Sequence, residues 1–189
     1  TTRDGGGGGG GRIAIDHTTG STTNLALQAY GGNGPGIAES AAAGTIFTKS
    51  GAQTNGSLRI DNNGTTLSEY ASLTTLVDGI GNLDTFTATG SAQVIATSST
   101  FTATTVTVGG NAIFTIATGT TLSYTTIDLS ESGTIAEQGV INFPSTFTVP
   151  SGGEIRMDRA RSFSDLTVAG TLSHSPNVLT QQYILDIDV

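Results

Sequence analysis

Asp186 and Asp188 are the two side chains whose type and spacing come nearest to an active centre. Set i, i+2 on one face of a strand, their carboxylates would stand ~6–7 Å apart. That is the separation an inverting glycosidase uses for its acid and its base. No aromatic wall and no neighbouring arginine accompanies them to tune their proton affinities. Asp158-Arg159-Ala160-Arg161 is the tightest cluster of mixed charge; it reads first as a solvated turn and second as a seat for an acidic sugar. His17 and His174 are the two imidazoles, at opposite ends of the chain, and read as surface turn residues.

Two turn-forming stretches raise ligand questions. The glycine run 5–11 could cradle an anion with its backbone N–H groups, but no Gly-Lys-Ser/Thr follows it, so it reads as tight packing or a flexible lead-in. Asp61-Asn62-Asn63-Gly64 could offer oxygens to calcium. Its spacing matches neither an EF-hand loop nor the glycine-rich nonapeptide calcium repeat, and Asx turns at a corner account for the same residues. Calcium stays an option, and no other cofactor is expected.

Composition removes whole classes. The 189 residues include 27 Gly, no Cys and no Trp, with 35% hydrophobic and 12% charged residues and a net charge of −8. Helical bundles need Ala, Leu, Glu, Lys and Arg in quantity. Thiol chemistry and Cys-ligated metals need cysteine. A phosphate backbone would repel this charge, so no nucleic-acid partner is expected. No apolar run approaches the ~18 residues of a membrane-spanning helix.

The elements that must position any site come from a repeat. Val106-Thr107-Val108, Ile127-Asp128-Leu129, Phe147-Thr148-Val149, Leu166-Thr167-Val168 and Ile187-Asp188-Val189 share an apolar-polar-apolar rhythm, their last residues separated by 21, 20, 19 and 21 positions. The weaker Phe86-Thr87-Ala88 precedes them by 20. The first four are each followed by a Gly- or Ser-bearing turn and two further apolar patches. Three short strands per unit of about 20 residues describe one coil of a right-handed parallel β-helix, an all-β solenoid in which equivalent residues stack ~4.8 Å apart. The alternation turns the Val, Ile, Leu and Phe residues inward. It leaves Thr107, Asp128, Thr148, Thr167 and Asp188 as a column on the outer face, a candidate contact surface. Regular Thr-x-Thr pairs on such a face could order water as an ice binder does, although aspartates interrupt them here.

The chain divides into a glycine-rich 1–11, irregular coils over 12–82 and regular coils over 83–189, all in one solenoid of about nine coils and ~40 Å. Ile13, Ile15, Leu58 and Ile60 alternate as strands do, and Asn24 to Tyr30 and Gly44 to Lys49 are further strand candidates. Over 65–82, Leu73, Leu76, Val77 and Ile80 would equally suit one face of a helix.

Gly5 to Gly11 running into Arg12-Ile13-Ala14-Ile15, then Ala29-Tyr30-Gly31-Gly32, Ala43-Gly44-Thr45-Ile46-Phe47, Gly56-Ser57-Leu58-Arg59-Ile60-Asp61-Asn62-Asn63 and Leu166-Thr167-Val168-Ala169-Gly170-Thr171-Leu172, resembles the large secreted bacterial surface proteins built from glycine-rich, parallel β-helix, adhesin-like repeats. The likeness spans almost the whole chain. It implies a structural or adhesive role at a cell surface or outside the cell, and it carries over no catalytic residue.

Solenoid ends need covering. Tyr183, Leu185, Ile187 and Val189 form a strong alternating strand with no capping helix in sight, so they are the expected edge for flanking repeats of a longer chain or for a second copy added head to tail. The reading is therefore a non-catalytic structural rod. A carbohydrate-active or glycan-binding β-helix is the alternative, and an ice binder a further one.

Overall fold

The computed structural model describes residues 6–34, 39–67, 73–76, 80–177 and 182–189. Its strands are β1 (Arg12–His17), β2 (Thr45–Ser50), β3 (Ser57–Asp61), β4 (Thr74–Leu76), β5 (Leu83–Thr89), β6 (Gln93–Ala96), β7 (Thr100–Val108), β8 (Ile113–Ile116) and β9 (Thr121–Leu129). They continue as β10 (Gly133–Glu137), β11 (Val140–Ile141), β12 (Thr146–Val149), β13 (Gly153–Met157), β14 (Arg161–Ser162), β15 (Asp165–Val168), β16 (Thr171–Ser173) and β17 (Ile187–Asp188). No helix occurs among the described residues.

The chain alternates between two stacks. One sheet runs β1-β2-β3-β5-β7-β9-β11 and the other β16-β13-β10-β8-β6-β4. Successive coils thus lay one strand on each sheet, and the pairing between coils is parallel. The result is a parallel β-solenoid of about five turns with coils roughly 20 residues apart. Phe86 pairs with Val106 and Ala88 with Val108; Val106 then pairs with Ile127 and Val108 with Leu129. These side chains enter one continuous core that extends from Ala43 to Phe163. Phe86, Phe101 and Phe114 form its centre, with ring centroids 4.4–5.4 Å apart.

Corners repeat as faithfully as strands. Gly90-Ser91, Gly110-Asn111 and Glu131-Ser132 each hold two successive residues at positive φ, the geometry of a tight reversing turn. Each turn closes on itself, as Ala92 N–H to Thr89 O and Ala112 N–H to Gly109 O show, and each also donates to the corner of the next coil: Ser91 N–H to Gly110 O at 2.7 Å, Asn111 N–H to Glu131 O at 2.9 Å, Ser132 N–H to Gly152 O at 2.7 Å. Backbone groups that a lone turn would leave to water are thereby paired between coils.

The repeat departs from the sequence reading in four places. First, the stack does not fill the chain with nine coils, because β2 and β3 run antiparallel. The N-terminal part forms a different structure instead. Residues 6–11 are packed and do not dangle: Gly7 N–H donates to Glu39 O, Gly10 N–H to Ala42 O, and Gly32 N–H to Gly8 O. A Cβ on Gly7 or Gly10 would collide with backbone of Gly32 or Ala29, whereas Gly8, Gly9 and Gly11 have open space. That period of three belongs to a polyproline-II-type extended chain, with glycine required on the side that meets its neighbours. Residues 24–30 lie in this region and are not a strand.

Second, the helical option over 65–82 fails where the chain is described: Thr74–Leu76 is strand β4, paired with β6. Val77 lies outside the described residues.

Third, Val149 is not sandwiched between Leu129 and Val168 as strand neighbours. The long strand of earlier coils, nine residues in β7 and in β9, is split in the next coil into β11 and β12 by Asn142-Phe143-Pro144-Ser145. Proline has no N–H for the ladder and a fixed φ. β11 stays on β9, while β12 pairs only with β15, placing Val149 on Val168. Leu129 packs instead over Gly153, where a Cβ would come within 2.2 Å of it.

Fourth, Ile187-Asp188-Val189 is not a fifth copy of the repeat. β17 pairs with β14, setting Ile187 beside Arg161 and Asp188 beside Ser162. Val168 and Val189, assigned inward by alternation, are 47% and 72% exposed.

Close approach between coils makes Gly133 a sensitive position: a Cβ there would sit 2.0 Å from the Val108 carbonyl oxygen. Gly133→Ala is expected to destabilise the protein by about 2–3 kcal/mol or more. Gly81→Ala, where the space is open, should stay within about 0.5 kcal/mol of the parent. Urea unfolding followed by circular dichroism measures both, and equal midpoints would contradict the stacking at this corner.

Candidate functional site

The outer face of the first sheet carries a ruled array of hydroxyls. Register aligns Ser57, Thr85, Thr105 and Thr126 in one column and Arg59, Thr87, Thr107 and Asp128 in the next. Thr102 aligns with Ser123 farther along the same strands. β-branched Thr suits this position, since its methyl packs on the pleat while the hydroxyl faces out.

Of the five outer-face residues expected from the repeat, the structure brings Thr107 and Asp128 together in one column and Thr148 and Thr167 in another. The two columns are not joined by strand pairing, because the Pro144 segment separates them. Asp188 is carried away to β14 and shares a column with neither. Thr105, expected beside Thr107 on the outer face, stands there; the residue that the repeat reading passed over is Thr85, and the available signal was the Thr-x-Thr of Thr85-Phe86-Thr87 one coil earlier.

Several charged groups are built into the scaffold. Asp84 accepts the backbone N–H groups of Gly56 and Asn55 at 3.1 and 3.2 Å, and the Asn55 side-chain amide at 3.2 Å. These bonds, that of Gly56 first, hold its carboxyl below the usual carboxylate range. The oxygens proposed for calcium are similarly engaged. Asn62 is fully buried, its Oδ1 accepting Gly31 N–H at 2.9 Å and its Nδ2 donating to Thr65 O at 2.9 Å. Asp61 accepts Asn63 N–H at 2.8 Å. Asn62 thus pins the glycine-rich region to the first corner of the stack.

Asp186 and Asp188 are exposed, and their backbone carbonyls accept the N–H groups of Arg161 and Phe163 at 2.9 Å. His17 is no turn residue: it ends β1 opposite Ser50, and its ring bonds Thr19 O, while His174 follows β16 and bonds Ser175 O.

On the second sheet, Glu154 ties three coils together. Its Oε2 accepts from Arg156 at 3.0 Å and from the Thr134 hydroxyl at 3.2 Å, and its Oε1 accepts from the Ser173 hydroxyl at 2.6 Å. Thr134 and Ser173 belong to the coils on either side.

The most unusual group is one that sequence reading passed over. Glu137 is fully buried. Its carboxylate pairs with the Arg161 guanidinium and accepts Ile141 N–H at 2.9 Å. Arg161 lies 5.5 Å from the Phe143 ring centroid and is no solvated turn residue. Arg159 donates to Gly139 O at 3.1 Å, and Asp158 accepts Ser175 N–H at 2.7 Å. The cluster taken as a possible sugar seat therefore fastens the C-terminal segment to the stack. Beside it the Tyr124 hydroxyl is buried without a hydrogen-bond partner among the described residues; burial pushes its proton affinity well up, against the opposing charge of Arg161. The signal for Glu137 was present in the alternation: Gly133, Ile135 and Glu137 share the inward face, and an inward carboxylate demands a cation.

No family model matches the sequence, and comparison with curated proteins and with solved structures returns no match.

Two outcomes follow from these clusters. Arg161→Met leaves a buried carboxylate alone and should cost about 3–5 kcal/mol, most of which the double variant Glu137→Leu/Arg161→Met should recover; urea unfolding of the three proteins reads this. For Glu154, the hydrogen bond from Arg156 is the largest influence and holds the carboxyl below its ordinary 4.5, burial opposing it. A pKa lowered by folding gives stability that is present above the unfolded value and lost as pH falls through the folded one. The thermal midpoint should thus be level from pH 7 to about pH 5 and decline below about 4.5, with a shallower decline in Glu154→Gln.

Proposed function

We propose that this chain is a non-catalytic structural and adhesive solenoid rod acting outside the cell or at a cell surface, presenting its ruled Thr/Asp face to a partner. The observation that carries the reading is the register: polar side chains recur at fixed spacing from coil to coil, ~4.8 Å along the stack and ~6–7 Å along each strand. Such a lattice is an economical way to meet an extended, repetitive surface. The engagement of Glu137 with Arg161, of Glu154 with Thr134 and Ser173, and of Asp84 with Gly56 in bonds between coils supports a scaffolding use of carboxylates. The resemblance to adhesin-like repeat proteins points the same way.

Partners are flanking coils or a second copy. β15 and β16 present outer edges with no strand beyond them among the described residues, and Val168 stands exposed beside that edge. An open parallel edge is a template for further strands. The edge anticipated at Tyr183 to Val189 is a separate matter: Ile187 is used by β14, while Leu185 and Val189 are exposed.

A second reading is favoured by the array itself: direct binding of surface glycans, or of ice, through Thr85, Thr87, Thr105 and Thr107. The test combines two measurements. Velocity sedimentation should show association rising with concentration, weakened at least tenfold in Val168→Lys; a chain that remains monomeric throughout, with the variant indistinguishable, would remove the second-copy partner. Retention on a glycan array or thermal hysteresis, abolished in Thr105→Lys/Thr107→Lys with an unchanged circular dichroism spectrum, would establish the Thr face as the contact surface. Turnover of a polysaccharide panel would defeat the non-catalytic reading.

A further inference from the structure

The outer face of the first sheet has two different ends. One column runs Arg59, Thr87, Thr107, Asp128, so its hydroxyls lie between a guanidinium and a carboxylate. The column beside it, Ser57, Thr85, Thr105 and Thr126, is hydroxyl throughout. Relief differs as well as charge. At the Arg59 end residues 22–27 stand up as a ledge, where Leu27 O accepts Arg59 Nη2–H at 2.6 Å and Leu25 is 53% exposed. A cleft of about 240 Å3 lies between Thr22, Leu25 and Leu27 on one side and Ser57, Arg59 and Thr87 on the other. At the opposite end Thr126 and Asp128 are exposed.

The Arg59 guanidinium has donors to spare. Its fork carries five N–H groups; Leu27 O takes one, and its own-chain carboxylate partner, Asp61, stays at 3.5 Å while the Arg59 side chain is 40% exposed. A second copy of the face supplies what this end lacks. Consider a two-fold axis lying in the plane of the face, parallel to the strands and between β5 and β7. It reverses the order of the coils and returns each column onto itself. Arg59 then meets the partner's Asp128, Ser57 meets the partner's Thr126, Thr85 the partner's Thr105 and Thr87 the partner's Thr107, and each contact occurs twice, as in any isologous interface. Hydroxyls both donate and accept, so each of these contacts can pair a donor with an acceptor. The other in-plane axis, along the stack, would set Arg59 on Arg59 and Asp128 on Asp128. Charge therefore selects one arrangement.

We propose that two copies of this chain associate face to face through the ruled array, their coils running in opposite order, with Asp128 of each seated in the cleft on Arg59 of the other. This rests on the reading of the Thr/Asp face as a contact surface and names its occupant. It is separate from coil addition at the β15 and β16 edge. The four strands span about 300–400 Å2 on each copy, from strand spacing and rise. A total below about 1,200 Å2 belongs to weak, transient contacts, which gain strength where rods lie side by side and many are made at once.

Velocity sedimentation in a Val168→Lys background, which silences the open edge, tests the proposal. That chain should retain weak self-association near about 1 mM. Asp128→Arg and Arg59→Asp, added singly, each bring like charges together twice and should weaken it at least about tenfold. Mixed one to one, the two variants should associate as tightly as the parent, because one contact is then native and the other reversed in sign. Amide NMR spectra of the Val168→Lys chain need neither charge variant: shifts that depend on concentration should be confined to β3, β5, β7, β9 and residues 22–27. A mixture no tighter than the single variants, unchanged association in Asp128→Arg, or no shifts on this face at about 1 mM would each overturn the proposal. Glycan retention lost in Thr105→Lys/Thr107→Lys, together with a mixture that fails to recover, would leave the face a contact surface and remove only the second copy from it.

Discussion

Backbone pairing between coils is the constraint from which the rest of this molecule follows. A parallel coil satisfies its N–H and C=O groups only on the coils above and below it, so neighbouring coils must share strand position, direction and register. Once Phe86 lies on Val106 and Val106 on Ile127, every inward position becomes a column and every outward position another. The turns obey the same rule, and their stacked positive-φ pairs donate from one coil to the next at the spacing of the strands.

Departures from the rule locate the specialised parts. Pro144 interrupts one ladder, and the coil reorganises into shorter strands around Phe143, Phe147 and Phe163, whose rings pack at 4.8–6.2 Å. The same region holds Glu137 with Arg161, a charge pair in a place where aliphatic columns would otherwise continue. Burying two charges is costly unless their geometry is completed by hydrogen bonds. The Ile141 N–H and the Phe143 ring supply that completion. The pair holds the segment leading to β17 against the stack, which no apolar contact of Arg161's neighbours would specify as sharply.

At the opposite end the chain abandons the solenoid for extended glycine-rich segments and an antiparallel pair. Glycine is needed there because three backbones approach within the radius of a side chain. Asn62 connects the two regimes by bonding backbone groups of both. Among the described residues the second sheet has no strands to match β1 and β2. The regular polar face thus exists only where the repeat is perfect.

The sequence alone determined the all-β class, the parallel stacking and the period near 20, because a solenoid writes its coil length into the recurrence of identical short patterns. Thr107 over Asp128, and Thr148 over Thr167, could be read from spacing by the same logic. Spacing could not tell that Ile187-Asp188 would pair with Arg161-Ser162: a three-residue apolar-polar-apolar motif fits any vacant edge, and which edge is vacant depends on the rest of the fold. Nor could it place Val149, since the effect of Pro144 on a ladder is felt by strands twenty residues away. Tertiary structure also decided that Glu137 is matched by Arg161 and that glycines three apart in residues 6–11 make contacts. Each of these depends on distances between segments remote in sequence, and only the folded backbone sets those distances.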